Sequence, residues 1–170
     1  QVAVWNVSER SVEKQPFDAA CIRWNTSGNG ISHFLTCEPY GDIRIWDEAT
    51  NQQIGSLLGH SAYLKSLQFS RDGRRLLSSG YDKTIRVWDF FTKKNLRVFQ
   101  EHPMAVHTAK WNSEGDRIAS SSYRRDTRFW QVAENRMRIL NTKNDTLDLS
   151  INQAVNDLSW HPDGKRIAAV

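Results

Sequence analysis

Arg124, Arg125 and Arg128 follow Tyr123 within six residues, and guanidinium groups beside an aromatic ring are the equipment that grips phosphate and stacked bases. Elsewhere the residue types that drive chemistry are scattered. Histidines stand at 33, 60, 102, 107 and 161 and cysteines at 21 and 37, with no pair at the spacing of a metal site. "GNG" at 28–30 is a turn signal, and no glycine cluster has P-loop or dinucleotide-binding spacing. With no nucleophile beside a base, no metal cluster and no phosphate cradle, the sequence predicts a protein that is not an enzyme, with no catalytic residue, cofactor or metal.

The elements that must carry these side chains belong to an ordinary globular composition: 170 residues, 39% hydrophobic and 25% charged. Seven Trp and seven Phe supply large apolar surfaces for a core. The net charge of +4 is a mild excess, compatible with an acidic partner without requiring nucleic acid. Two cysteines are too few for a disulfide framework and point to a reducing compartment, hence an intracellular home, cytoplasmic or nuclear. No run of 18 apolar residues and no basic-then-apolar leader marks a membrane span or signal peptide.

An internal repeat decides the architecture. "VAVWN", "IRIWD", "IRVWD" and "TRFWQ" place tryptophans at 5, 46, 88 and 130, at steps of 41, 42 and 42. A second register, "IRWNTSGNG", "LQFSRDGRR", "AKWNSEGDR" and "LSWHPDGKR", sets an aromatic before a polar, Gly-bearing turn. All seven tryptophans fall into one series or the other. Apolar residues alternate or cluster over four to six positions between turn residues, which is a strand pattern. In the unit 60–101 the pattern predicts strands near 63–69, 75–79, 84–88 and 95–99, separated by "SRDG", "GYDK" and "FFTKK". Sheets of four strands must stack face to face to bury such side chains, and stacked, twisted sheets close into a ring.

These residues identify a family. Gly59-His60 followed by "SRDGRRLLSSGYDKTIRVWD" resembles a WD40 repeat almost position for position, and the resemblance spans the chain. It implies an all-β, WD40-type β-propeller of four-stranded antiparallel blades, with about four blades' worth of a larger, seven-bladed ring. The whole of 1–170 is then one WD40 repeat region with no second domain, in units of 1–17 (partial), 18–59, 60–101, 102–153 and 154–170 (partial). Residue 1 corresponds to Thr84 of the unit 60–101 and Val170 to Ser79. The expectation is a segment of a longer propeller. The alternative is that the two half-blades pair, within one chain as a four-bladed ring or between two chains as an eight-bladed one.

The resemblance also implies a hydrogen-bonded relay of His60, Ser78, Asp82 and Trp88, which makes Asp82 structural. The third full unit keeps His102, Ser120 and Trp130 but has Arg124 at the Asp position. The first keeps Thr36 and Trp46 but has Tyr40 for Asp and Asp18 for His, so these two blades are expected to be held less rigidly. Asp42 and Asp126, two residues later, could brace those turns differently.

On the same template Tyr40, Tyr63, Tyr81 and Tyr123 map to the upper rim, joined by Met104, Arg124 and Arg125. Tyr, Met and Arg are the types that anchor protein interfaces, so this is the candidate partner-binding rim; packing of tyrosines at strand ends is the alternative. The opposite rim carries Arg71, Arg74, Arg75, Lys93 and Lys94, either an acid-binding patch or an ordinary solvated cluster. The segment 141–153 is longer than its counterparts and reads as a protruding loop. The function expected is a non-catalytic protein–protein interaction scaffold, a subunit of a multi-protein complex that binds other proteins or peptides on the upper rim, with no membrane contact. The alternative is a propeller that recognises RNA or a phosphorylated peptide through Arg124, Arg125, Arg128 and Tyr123, in a nuclear RNA-processing or export assembly.

Overall fold

The computed structural model of the chain describes residues 3–6, 11–14, 21–25, 33–123, 127–132, 155 and 157–169. Every regular element among them is a β-strand. Strands β1 (Ala3–Asn6) and β2 (Ser11–Lys14) form a two-stranded antiparallel sheet. Next, β3 (Cys21–Asn25), β4 (His33–Cys37), β5 (Ile43–Asp47) and β6 (Gln53–Leu57) hydrogen-bond in chain order as a four-stranded sheet. The same meander recurs in β7 (Leu64–Phe69), β8 (Arg75–Gly80), β9 (Ile85–Asp89) and β10 (Asn95–Phe99). A three-stranded sheet follows, made of β11 (Val106–Trp111), β12 (Arg117–Ser122) and β13 (Thr127–Gln131). Last, β14 (Leu158–Trp160) pairs with β15 (Ile167–Ala169). The loop expected at 141–153 and the side chain of Asp126 lie outside the described residues.

The strands fall where the apolar pattern puts them, with one instructive offset. β9 starts at Ile85 and not at 84 because Thr84 is used to close the turn: its amide and hydroxyl both donate to Asp82 Oδ1, at 3.1 and 2.9 Å. The second register of the repeat has its own backbone cause. Gly73, Gly115 and Gly164 adopt φ of 67°, 70° and 67°, the left-handed region that glycine enters without steric penalty. Each donates its amide to the carbonyl three residues back, so one hairpin geometry serves all three turns.

Burial explains why the sheets stack. On β8, Leu76 joins one core with Leu35, Ile43, Ile45, Leu57, Trp88 and Phe90. Its neighbour Leu77 points the other way, into a second core with Val87, Phe99, Val106, Trp111, Ile118 and Trp130. A third cluster of Ala119, Phe129, Val155 and Leu158 continues the series. Central strands are therefore apolar on both faces, because a sheet lies on each side. The outer strand β10 has no such cover, and its residues 95–98 are exposed.

Inner strands β3, β7, β11 and β14 run side by side and are stitched by side chains. Arg23 Nε donates to the Leu67 carbonyl at 3.2 Å, and Ser66 Oγ to that of Ala109 at 3.3 Å. The Trp111 amide donates to Gln68 Oε1 at 2.7 Å, and Trp160 Nε1 to the Lys110 carbonyl at 3.1 Å. This is the radial arrangement the sequence predicts. β1 and β15, which a four-bladed closure within one chain would join, lie in separate two-stranded sheets.

The cysteines depart from expectation. The β3–β4 register sets Cys21 directly opposite Cys37, with Cα atoms 5.0 Å apart, and the two are joined as a disulfide. Cysteine count alone carries no register, so the pairing was hidden in the sequence. Among the described residues no helix is long and apolar enough to cross a membrane.

If stacking on both faces holds the fold, Leu77→Ala should cost about 2–5 kcal/mol in chemical denaturation, because it opens a cavity between two sheets. Leu96→Ala, on the exposed outer strand, should stay within about 0.5 kcal/mol of the parent.

Candidate protein-binding rim

The rim is built on the turn 80–84, so its support comes first. His60, Ser78, Asp82 and Trp88, drawn from a loop, a strand, a turn and a strand, meet at one place. Trp88 Nε1 donates to Ser78 Oγ at 2.8 Å, and Ser78 Oγ lies 2.7 Å from His60 Nε2. His60 Nδ1 lies 2.6 Å from Asp82 Oδ2. With the ring proton on Nδ1, every group has a partner: indole to hydroxyl, hydroxyl to imidazole, imidazole to carboxylate. Asp82 also accepts the Ser61 amide at 3.2 Å, which ties the loop before β7 to the turn after β8. Thr84 is a member that sequence reasoning missed; its hydroxyl touches both His60 Nδ1, at 3.2 Å, and Asp82. A Thr two residues after the turn Asp is the signal that could have found it.

Serine, histidine and aspartate in this order have the connectivity of a hydrolytic triad. The chemistry is foreclosed by access: Ser78 is 0% exposed, and its oxygen already accepts the Trp88 indole proton. The electrostatics fit a structural clamp. Burial holds the His60 pKa below its usual value, against the opposing pull of the Asp82 hydrogen bond and charge. Burial alone would raise the Asp82 carboxyl, but His60 and the Thr84 amide and hydroxyl outweigh it and bring its pKa down to about 2.

The neighbouring units repeat part of the relay. His102 Nε2 sits 2.7 Å from Ser120 Oγ, which accepts Trp130 Nε1 at 2.7 Å. Trp46 Nε1 donates to Thr36 Oγ1 at 2.9 Å. Asp18, Arg124 and Arg125 lie outside the described residues.

Above this clamp the four tyrosines share one rim. Tyr40 is 82% exposed, Tyr63 53%, Tyr81 43% and Tyr123 42%. Tyr81 and Tyr123 approach with hydroxyls 3.3 Å apart and rings 6.2 Å apart. The Tyr123 hydroxyl and the Lys65 ammonium lower the Tyr81 pKa, while that of Tyr123 rises through its bond to Tyr81. Tyr63 is held beside Tyr81 by the Tyr81 amide, which donates to the Tyr63 carbonyl at 2.9 Å. Tyr40 joins through Gly41: at φ 98° it lies so close to His60 and Ala62 that a Cβ there would come within 2.6 Å of the Ala62 carbonyl. Met104 is half-buried in the next loop.

Two rim residues escaped the sequence reading. His107 stacks on Tyr123, ring centroids 4.7 Å apart, and Lys65 Nζ lies 5.2 Å from the Tyr81 ring centre. Positions 65 and 107 differ by one repeat, as 81 and 123 do, so the period itself was the available signal.

The opposite rim is less of a patch than its composition implies. Arg75 lies over the Trp111 ring at 4.8 Å, and Lys93 over Phe90 at 4.8 Å while donating to the Phe90 carbonyl. Asp72 and Asp89 share that rim, their pKa values lowered by hydrogen bonds from Ser70 and from the Thr92 amide. Arg128 is 3.7 Å from Glu101 in an ion pair. Among the described residues no group of three or more His, Cys, Asp or Glu could hold a metal ion.

Four-stranded meanders stacked around a line of inner strands, each pinned by an indole–hydroxyl bond, are the blades of a β-propeller. The chain carries WD40 repeats: the family model for the WD domain, G-beta repeat, matches residues 51–89 and 93–131. The fold is similar to the crystal structure of the Cps50 (Swd1) β-propeller domain of Myceliophteria thermophila, with a TM-score of 0.74 and 21% identity over 89% of this chain and 48% of that one. Among curated proteins, Autophagy-related protein 16 of Arabidopsis thaliana is 40% identical over 42 residues, which is 25% of this chain and 8% of that protein. Nuclear distribution protein PAC1-2 of Uncinocarpus reesii is 46% identical over 44 residues, 26% and 10% respectively. The chain thus spans a tenth or less of these curated relatives and about half of the propeller domain.

Asp82→Ala strips His60, Ser61 and Thr84 of their acceptor and should cost about 1–3 kcal/mol in chemical denaturation. Acid should weaken the fold in two stages, because both folded pKa values lie below the unfolded ones. Below about 6.5 the unfolded His60 binds a proton that the buried ring resists, and from about 4 toward about 2 protonation of Asp82 removes what remains. Denaturation midpoints measured across pH should show the first stage in the parent and its loss in His60→Gln.

Proposed function

We propose that this chain is a non-catalytic scaffold that binds another protein or peptide across the tyrosine rim, within a multi-protein complex. The observation that carries the reading is four tyrosines exposed on one edge of a rigid frame, with Lys65 and His107 between them. Such side chains bury wide area with few rotatable bonds and keep a polar tip. The WD40 repeats at 51–89 and 93–131 support a role in protein interaction. The two curated relatives, named for autophagy and for nuclear distribution, are compatible with an intracellular setting. Recognition of RNA or a phosphorylated peptide ranks second, because Arg128, one of its three guanidinium groups, is committed to Glu101.

The test compares the two rims. Tyr81→Ala and Tyr123→Ala should each weaken a partner isolated with the intact protein by about tenfold or more, with the denaturation midpoint nearly unchanged. Phe91→Ala, an exposed aromatic on the opposite turn, should leave affinity as it was. Equal losses at both rims would reject the assignment. Affinity that falls steeply with added salt, and binding to RNA alone, would favour the second reading.

A further inference from the structure

We propose that Cys21 and Cys37 form a thiol–disulfide exchange site that fastens β3 to β4 in the one full blade whose sequence lacks both residues of the histidine–aspartate clamp. The argument begins with alignment. The strand registers make Cys37 the counterpart of Ser79, the residue next to Ser78 of the relay, and Cys21 the counterpart of Ser66, which pairs with Ser79. In the unit 60–101 that corner is fastened by non-covalent bonds: His60 to Ser78, and Asp82 to His60 and the Ser61 amide. They tie the segment entering the inner strand to the end of the second strand and to the turn beyond it. In the first blade the sequence holds no histidine between β2 and β3, and the Asp position is taken by Tyr40, which points into solvent. Thr36 keeps the bond to the Trp46 indole. The disulfide joins the start of β3 to the end of β4, so each blade has a tie from its inner-strand side to the end of its second strand, covalent here and non-covalent in the neighbour.

The two sulfurs differ in access. Cys37 is fully buried within the apolar core, whereas Cys21 is only partly buried at its edge. A dithiol reductant would therefore attack at Cys21. Its thiolate forms a mixed disulfide with Cys21 Sγ as the S–S bond breaks, and Cys37 leaves as a thiolate that takes up a proton, favoured by its apolar surroundings. The second thiol of the reductant then displaces Cys21. Two electrons and two protons pass to the protein, and the reductant ends as its own disulfide. Once reduced, β3 and β4 keep their ladder hydrogen bonds and lose the covalent link. The turn leaving Cys37 carries Tyr40, so exchange sets how firmly that end of the rim is held; that it thereby tunes partner binding rests on the reading of the rim given above.

Hydrogen exchange on the purified chain tests the site without any partner. In protein isolated under thiol-blocking conditions, residues 34–43 should exchange slowly, and dithiothreitol should speed them about tenfold or more while residues 75–89 stay unchanged. Cys21→Ser/Cys37→Ser should resemble the reduced protein and ignore dithiothreitol. Should that variant fail to fold, the parent titrated in a dithiothreitol redox buffer gives the same reading, with one two-electron transition seen both by thiol alkylation and by exchange at 34–43. Free thiols at both positions in the blocked protein, or reduction that leaves 34–43 unchanged, would overturn the proposal. Loss of the Tyr81→Ala binding effect would leave it standing.

Discussion

A sheet four strands wide that carries large apolar residues on both faces has no stable existence alone. Trp88 and Leu76 on one side of a sheet, and Leu77 and Val87 on the other, require a neighbour in each direction. Everything else follows from that demand. The indoles of Trp46, Trp88 and Trp130 each bring an N–H that must be met, and Thr36, Ser78 and Ser120 supply the acceptor at the same place in three successive blades. Once the hydroxyl is fixed, the histidine beneath the loop and the carboxylate in the turn complete the chain of donors, and the loops above are left free to vary.

The unit at 60–101 shows how one constellation can look catalytic and be structural. Its serine, histidine and aspartate lie at bonding distance in the order a hydrolase would use, and the pKa values of the histidine and the aspartate are displaced. What separates the two roles is exposure and occupancy, since the serine oxygen is both covered and already accepting a proton. The energy of the arrangement goes into holding a loop against a turn, and the tyrosines displayed there gain a fixed footing.

Much of this was legible in the sequence because the repeat ties aromatic spacing to strand spacing. Tryptophans at steps of one repeat mark where β5, β9 and β13 run, and Gly73, Gly115 and Gly164 mark where hairpins turn. The four tyrosines could be placed on one rim because each occupies a turn or loop position rather than a strand interior. Lys65 and His107 were not legible as rim residues, because alternation in a strand says which face a side chain takes and not which neighbour it meets across a gap. The cysteine pair was hidden for a related reason: it depends on the register in which β3 meets β4, which the spacing of two cysteines does not state. Asp72 and Asp89 similarly turn an apparently basic rim into a mixed one, a balance visible only once the turns bring opposite charges together.

The stitches between inner strands have an asymmetry that bears on how such a chain can change over time. Leu67, Ala109 and Lys110 each receive a neighbouring blade's bond, or one from their own neighbour's side chain, through a main-chain oxygen that any residue possesses. In these three links only the donor's identity is under chemical constraint, and at Gln68, which receives the Trp111 amide, only the acceptor's, so the other partner may mutate without breaking the link. Modules joined in this one-sided manner can diverge, duplicate or be exchanged without waiting for a matching substitution next door.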